Sequence, residues 1–507
     1  MRYIKIAGIS LGAIFSLGLA SAALNDFQTV DSIAVGVSPR GIAVGNIYGN
    51  GAKSLIVADF GSSTFIGQTT PATILNPQNS NLQIFSQSSS GLKLDTSIST
   101  ASSPRGVFSY DLGRTGRQDI LVTAYDAGLL QVFSWEQGQF VKSSEAPVMK
   151  MPVGVTAGLT ENHGTPFAVV ANYGSNTLSL FQIHQGKLGK RYDAAVAEGP
   201  TQVAIGDLEG DGKNEIAVVC LPAHSIEILS SVSGNPEDLS SYAVSKTITL
   251  PSGSAPADLR MSDLNGDGRM DLVAADFSKN AILVYFQQKD GSLTAQPPLG
   301  TSGSHPNGLT VADLNGDGSK EIIVANRDSD SIDLFQMTGG QYQLVQTLKT
   351  SEETSQSFGP IEVGVLDVNG NGKMSLVATH MRSNSIKVIT PVNSTALNAK
   401  TLTGTVGQTG QPFSDKTTFC YPNPTSDGKV KFSFTLENSS PVSLEIFDVR
   451  GEEVWKQNLS SSQTQGGVNV FSWEGTNQSG QKLASGLYLC AITVGDQRIT
   501  RKVAIIH

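Results

Sequence analysis

Cysteine is nearly absent: Cys220, Cys420 and Cys490 are the three in 507 residues. An odd, sparse set excludes a disulfide framework and the Cys/His spacings of a zinc site. Cys220 follows an apolar run and reads as a small buried residue, whereas pairing of Cys420 with Cys490 stays open. Charge is also sparse, at 16% Asp, Glu, Lys and Arg, without long runs, and the formal net charge is −9. That balance argues against a nucleic-acid partner, which selects for a basic surface. The histidines at 163, 184, 224, 305, 380 and 507 do not cluster. No Gly-x-Ser-x-Gly turn or phosphate-cradling loop occurs, so catalysis finds little support. No stretch keeps an amphipathic helical period, and beyond residue 22 no apolar run is long enough to span a bilayer.

What the chain does have is glycine, 53 residues of it, and punctuation that recurs. Residues 1–22 read as a signal peptide, with Arg2 and Lys5, an apolar run to Leu19 and the small-residue site Ala20-Ser21-Ala22. Export to the exterior or the cell surface is therefore expected. Prolines at 39, 104, 152, 200, 256, 306 and 360, each after a small or turn-forming residue and often followed within two by Gly, mark units 48 to 65 residues long. Each unit parses into four short strands, the size of one propeller blade. Sheets of this kind bury both faces by radial packing, so residues 27–400 are expected to form a seven-bladed β-propeller. The segment Phe27 to Val35 is the expected closing strand, with Ala396 to Thr405 as the alternative donor. A Ser/Thr/Pro-rich insert at 61–80 reads as a surface loop. Residues 401–414 form a linker, and 415–507 carry about seven short strands, the count of a small β-sandwich.

Within the units lies an acidic turn of the form Asp-x-Asx-x-Asp-Gly, with a further carboxylate at position nine. Oxygen-bearing side chains at alternate positions suit calcium, which takes six to eight hard oxygens. Three copies are complete: Asp207/Glu209/Asp211/Glu215, Asp263/Asn265/Asp267/Asp271 and Asp313/Asn315/Asp317/Glu321. Lys213, Arg269 and Ser319 would offer carbonyls. A fourth, Asp367/Asn369/Asn371, has Ser375 in place of the last carboxylate. The competing reading is that Asp and Asn simply make Asx turns. The turns at Asn46 and Asp111 are poorer and read as plain turns.

These units resemble the FG-GAP/VCBS repeats of integrin α-subunit heads and of secreted bacterial β-propellers. The resemblance covers roughly residues 38–389 and implies structural rather than catalytic calcium. The C-terminal stretch resembles an Ig-like module through Tyr421-Pro-Asn-Pro424, Ile446-Phe-Asp448, Trp473-Glu-Gly475 and Ala484-Ser-Gly-Leu-Tyr488. Two versions of that module are similar: the type IX secretion sorting domain and the flagellar hook-capping Ig-like domain. The first would make it an address read by a secretion translocon.

In such a ring, the proline loops and the loops after each second strand share one face, opposite the acidic turns. That face would gather Arg40, Arg105, Tyr125, Asp126, Tyr173, His305, Asn307, Arg327, His380 and Arg382. A mixed aromatic and charged set suits an extracellular glycan or protein. A secreted binding module is the expected function. The alternative is a polysaccharide-active, lyase-like enzyme using the same funnel.

Overall fold

The computed structural model describes residues 27–61, 80–88, 91–350, 359–391, 418–421, 429–436, 438–464, 467–495 and 497–505. The signal peptide, most of the Ser/Thr/Pro insert, the linker and Pro422 to Pro424 lie outside them. Two compact units are present, Met1–Asn398 and Ala399–His507. No helix among the described residues is long and apolar enough to cross a membrane.

The first unit is an all-β propeller. Its inner strands all begin on the recurring proline: Pro39–Gly45, Pro104–Tyr110, Pro152–Leu159, Pro200–Gly206, Pro256–Ser262, Pro306–Ala312 and Pro360–Leu366. Proline is tolerated at the first residue of a strand, where its missing N–H disrupts the ladder least. Each inner strand pairs antiparallel with a second strand, such as Glu321–Asn326, followed by Ser331–Thr338 and Gln341–Lys349 in the sixth sheet. Second strands are covered on both faces, so they read as unbroken apolar runs: every residue of Glu321–Asn326 is buried. The fourth strands face outward and alternate toward solvent, as Gln341–Lys349 does.

Among the described residues there are seven such sheets. Each inner strand contacts the next in chain order, and Pro360–Leu366 contacts Pro39–Gly45, so the circuit closes. Between Phe27–Ala34 and Ser385–Pro391 an antiparallel ladder runs from Phe27 opposite Pro391 to Ala34 opposite Ser385. The first strand of the chain therefore completes the last sheet. The other closing segment considered, 396–405, lies outside the described residues.

Apolar cores sit between neighbouring sheets rather than at one centre. Val273, Ile282 and Val284 of the fifth sheet pack with Leu309, Ile322, Val324 and Phe335 of the sixth. Close approach of the inner strands explains the proline-to-glycine spacing. A Cβ on Gly308 would stand 2.5 Å from the Ile361 carbonyl oxygen of the next inner strand. Gly41, Gly106 and Gly154 meet the following strand's backbone in the same way. Cys220 is fully buried, as its sequence context implied.

The second unit is a sandwich. One sheet holds Thr418–Tyr421, Val430–Leu436 and Gly467–Trp473, and the other holds Glu453–Leu459, Val442–Phe447, Gly486–Val494 and Gln497–Ile505. Phe432, Phe434, Leu444, Ile446, Trp473, Cys490, Ile492 and Val503 form its core. The motif residues have local jobs here. Trp473 Nε1 donates to the Thr476 carbonyl at 3.0 Å, and the Tyr488 hydroxyl donates to the Ala484 carbonyl at 2.9 Å. The side chain of Cys420 lies outside what the structure describes, which leaves its pairing open.

Candidate functional site

Every inner strand runs from a proline turn at one end of the ring to a reversing turn at the other, so the two candidate sites occupy opposite ends. At the reversing end the complete acidic turns share one geometry. Asp313 Oδ1 accepts the Gly316 and Asp317 amides at 2.7 and 3.2 Å, and Oδ2 accepts Gly318 at 2.9 Å. Asp263 does the same with Gly266, Asp267 and Gly268, and Asp207 with Gly210, Asp211 and Gly212. The residue at position two, Leu208, Leu264 or Leu314, is buried and pins the turn to the core. Its amide donates to the carboxylate at position nine: Leu208 to Glu215 at 2.8 Å, Leu264 to Asp271 at 2.9 Å and Leu314 to Glu321 at 2.8 Å.

The asparagines expected as metal ligands at position three also make local hydrogen bonds. Asn265 Oδ1 accepts the Asp267 amide at 3.0 Å. Asn315 Oδ1 accepts the Asp317 amide at 3.0 Å, while its Nδ2 donates to Asp317 Oδ2 at 3.0 Å. Both are Asx turns, formed because a short amide side chain reaches the backbone N–H two residues on. Asn369 enters the fourth turn through its backbone, its amide donating to Asp367 Oδ1 at 3.2 Å. In Glu209 the longer side chain reaches outward instead and accepts the Ser230 hydroxyl at 3.3 Å. Position five repeats the Asx pattern: Asp211, Asp267, Asp317 and Asn371 accept the amides of Lys213, Arg269, Ser319 and Lys373 at 2.7 to 3.0 Å. The side chains of Asn265 and Asn315 thus make the Asx turns of the competing reading, and an oxygen that accepts one N–H keeps a lone pair for a cation.

The position-nine carboxylates are buried beneath the other acids of the turn. Burial, joined by Glu209, Asp211 and Asp207, pushes Glu215 up to about 8. Burial, joined by Asp317 and Asp313, pushes Glu321 up to about 7, and Asp271 is raised for the same reasons. In the fourth copy Asp367 accepts the Asn371 and Gly372 amides, and Ser375 occupies the buried place of the missing carboxylate.

Does this donor set fit calcium? Among the described residues no three His, Cys, Asp or Glu side chains are drawn together as a metal cluster. The oxygens of the first Asp face backbone amides instead. The chemistry nevertheless fits, because the side-chain acceptors are hard oxygens that keep further lone pairs after accepting one N–H. Glu321 Oε1 is buried without a hydrogen-bond partner, a position that calls for a cation or a proton.

At the proline end, the residue that follows six of the seven second strands is tied to a proline turn. Its amide donates to the carbonyl preceding the proline: Phe60 to Ser38, Tyr125 to Ser103, Tyr173 to Met151, Leu221 to Gly199, Phe277 to Ala255 and Arg327 to His305, at 2.9 to 3.2 Å. Ser38, Ser103, Met151 and His305 take φ of 55–59° just before their prolines, a left-handed conformation that costs a non-glycine residue energy. Arginines stack on the rings so positioned. Arg40 lies 4.5 Å from the Phe60 ring centre, Arg105 5.2 Å from Tyr125, and Arg327 4.5 Å from Phe277. His305 stacks on Phe277 at 4.4 Å, with its Nδ1 2.7 Å from Asp328 Oδ2. Although burial opposes it, Arg327 and His305 hold Asp328 below its usual range.

Along the axis lies a cavity of about 670 Å³ lined by all seven inner strands, running from Arg105 at the proline end past Gly41, Thr156, Gln202, Arg260, Thr310 and Glu362 to Lys53, Asp313 and Met374 at the reversing end. Arg260 donates to Asp258 Oδ1 and lies 3.7 Å from Glu362. Burial, and then Asp258, push Glu362 up to about 8.

Comparison with protein families identifies two segments. Residues 263–324 and 313–378 match the FG-GAP-like repeat. Residues 422–497 match the FlgD Ig-like domain. No curated protein matches the sequence. Among solved structures, the chain is similar to a Lactobacillus plantarum protein (14% identity, TM-score 0.45, covering 62% of this chain and 86% of that one). It is also similar to a periplasmic gluconolactonase of Pseudomonas aeruginosa (15%, 0.45, 61% and 85%). A third is Kuenenia stuttgartiensis hydrazine synthase (14%, 0.47, 75% and 99%).

The matched FG-GAP-like repeats contain three of the four acidic turns, those beginning at Asp263, Asp313 and Asp367. The turn at Asp207 precedes them and has the same geometry. Of the expected face residues, Arg105 borders the cavity, and Arg40, Tyr125, Tyr173, His305 and Arg327 lie at the proline turns. Asp126 accepts the Ser103 hydroxyl, and Asn307 donates to the Ile361 carbonyl at 3.1 Å, so both brace loops. Arg382 is exposed in the following loop. His380 is not presented on the face: it is only 4% exposed, and burial, and then Lys387, push it down to about 3. Phe60, Phe277, Asp258, Arg260 and Glu362 were missed by sequence reasoning. The first two carried a usable signal, their place directly after a second strand. The other three did not.

Proposed function

We propose that this chain is an exported, calcium-stiffened binding module that grips an extracellular glycan or protein at the proline end of its propeller. The observation carrying this reading is the stacked arginine and aromatic mouth above a channel lined by every inner strand. Stacked guanidiniums and rings are rigid and amphipathic, the composition of recognition surfaces. Calcium at the three complete acidic turns, and at the Asp367 turn as a weaker fourth, serves the opposite rim. There Asp207, Asp263 and Asp313, the position-five acids and the position-nine carboxylates would hold it, and its chemistry is charge compensation. The C-terminal Ig-like domain acts as a sorting or attachment module engaged by the secretion machinery. The test is a glycan and protein array probed with the full chain. Saturable binding abolished by Tyr125→Ala or Phe277→Ala supports the reading. Turnover of a bound polysaccharide would make the module an enzyme instead, and binding retained in both variants would place recognition elsewhere.

A further inference from the structure

The charges at the proline-end mouth do not balance. Two carboxylates, the buried Asp258 and the half-buried Glu362, share Arg260. Arg327 is engaged by Asp328, through its Nε at 2.7 Å. Arg40 and Arg105 stack on Phe60 and Tyr125, whose ring centres are 5.8 Å apart; Arg105 is also hydrogen-bonded to Tyr125 and feels Glu362 from beyond ion-pair distance, and among the described residues no carboxylate lies within ion-pair distance of either guanidinium. Arg40 Nε is buried and makes no hydrogen bond. The guanidiniums that act on Arg40, Arg105 and Arg327, are both of its own sign. Burial and then Arg105 bring Arg40 down to about 9, which still leaves it charged at neutral pH.

A partly desolvated guanidinium beside two others, with donors unused, lacks its natural complement. A planar fork held against a ring face also has its N–H edge set for a two-oxygen acceptor. We propose that the seat between Arg40 and Arg105 takes an oxyanion, the carboxylate or sulfate of an acidic saccharide whose ring enters the channel mouth. The saccharide is favoured over an acidic peptide by the space available: the channel below, about 670 Å³, is of a size for one or two sugar rings. Glu362 and Asp258 are grouped around Arg260, so the anion is drawn to the Arg40 side of the mouth. This inference rests on the proline end being the binding face and adds the chemistry of the ligand.

The experiment is titration calorimetry of the full chain with a galacturonate trisaccharide, its methyl ester, a heparin tetrasaccharide and pentaglutamate. Expected is binding of the galacturonate or heparin probe that weakens with salt, is absent with the ester, and loses at least tenfold in Arg40→Gln and in Arg105→Gln. Arg191→Gln, on an outer strand, should leave it unchanged. Thermal midpoints of the variants show that they fold, and the half-buried Arg40→Gln carries the test if Arg105→Gln does not. Equal binding of ester and acid would overturn the oxyanion seat while leaving the face as the binding site. Acid binding indifferent to both substitutions, binding of pentaglutamate alone, or no binding of either acidic saccharide would each overturn it as well.

Discussion

At the scale of single residues, the demands on this chain are steric and electrostatic. Gly308 marks the steric limit. A methyl group there would stand 2.5 Å from a carbonyl oxygen of the neighbouring inner strand, which belongs to the backbone and cannot rotate away. Gly308→Ala is expected to destabilise the protein by about 1–3 kcal/mol, the usual cost of overpacking, read as a lower denaturation midpoint. His380 marks the electrostatic one. Its folded pKa is about 3 against 6.5 for the free group, so the unfolded chain binds the extra proton first. The neutral imidazole's contribution is complete above pH 6.5 and declines as pH falls from there toward 3. His380→Leu should therefore lose less stability than the parent between pH 7 and 5. Parallel melting curves for the two proteins across that range would contradict the assignment.

At the scale of elements, the acidic turns and the closing strand carry the argument. Each turn uses one Asp to tie three backbone amides and one buried leucine to reach the core, so it is ordered by local bonds before any cation arrives. Asn265 and Asn315 add to that local order by holding the amide two residues on. Phe27–Ala34 is the only strand of the last sheet that comes from the start of the chain. Its ladder joins distant parts of the sequence, Phe27 with Pro391. Removing residues through Ala34 would expose an unpaired edge and open the ring. A fall in thermal midpoint of about 5 °C or more is expected, in line with a loss of more than about 1 kcal/mol. An unchanged midpoint would mean that the strand is dispensable for closure.

At the scale of the molecule, a propeller separates the rim of its acidic turns from the rim of its proline turns by the length of its inner strands. If the acidic turns hold calcium, chelation removes a ligand of the folded state, so the melting temperature should fall in excess chelator and recover when calcium is restored. Glu321→Gln, which keeps the Leu314 contact but removes charge, should shrink that response. Indifference of the parent protein to chelator would count against occupied turns.

The sequence by itself determined the punctuation. Proline at each strand start, glycine where strands nearly touch, and Asp-x-Asx-x-Asp-Gly at each reversal act within a few residues, through fixed dihedrals and local hydrogen bonds. That is why strand starts, reversals and the sandwich's alternating strands were legible. The direction of each turn side chain was less so: the pattern that spaces oxygens for a cation is also the pattern that makes Asx turns, as Asn265 and Asn315 do. The mouth was only partly legible. Arg40 with Phe60, and Phe277 with Arg327 and His305, come from segments separated along the chain. Arg105 and Glu362 come from opposite ends of the array, and no local pattern joins them. Ring closure alone brings them to one axis, and burial there decides which charges are matched and which are left over. His380 is buried because it ends the second strand Ser375–His380 rather than opening the loop after it, where it was expected.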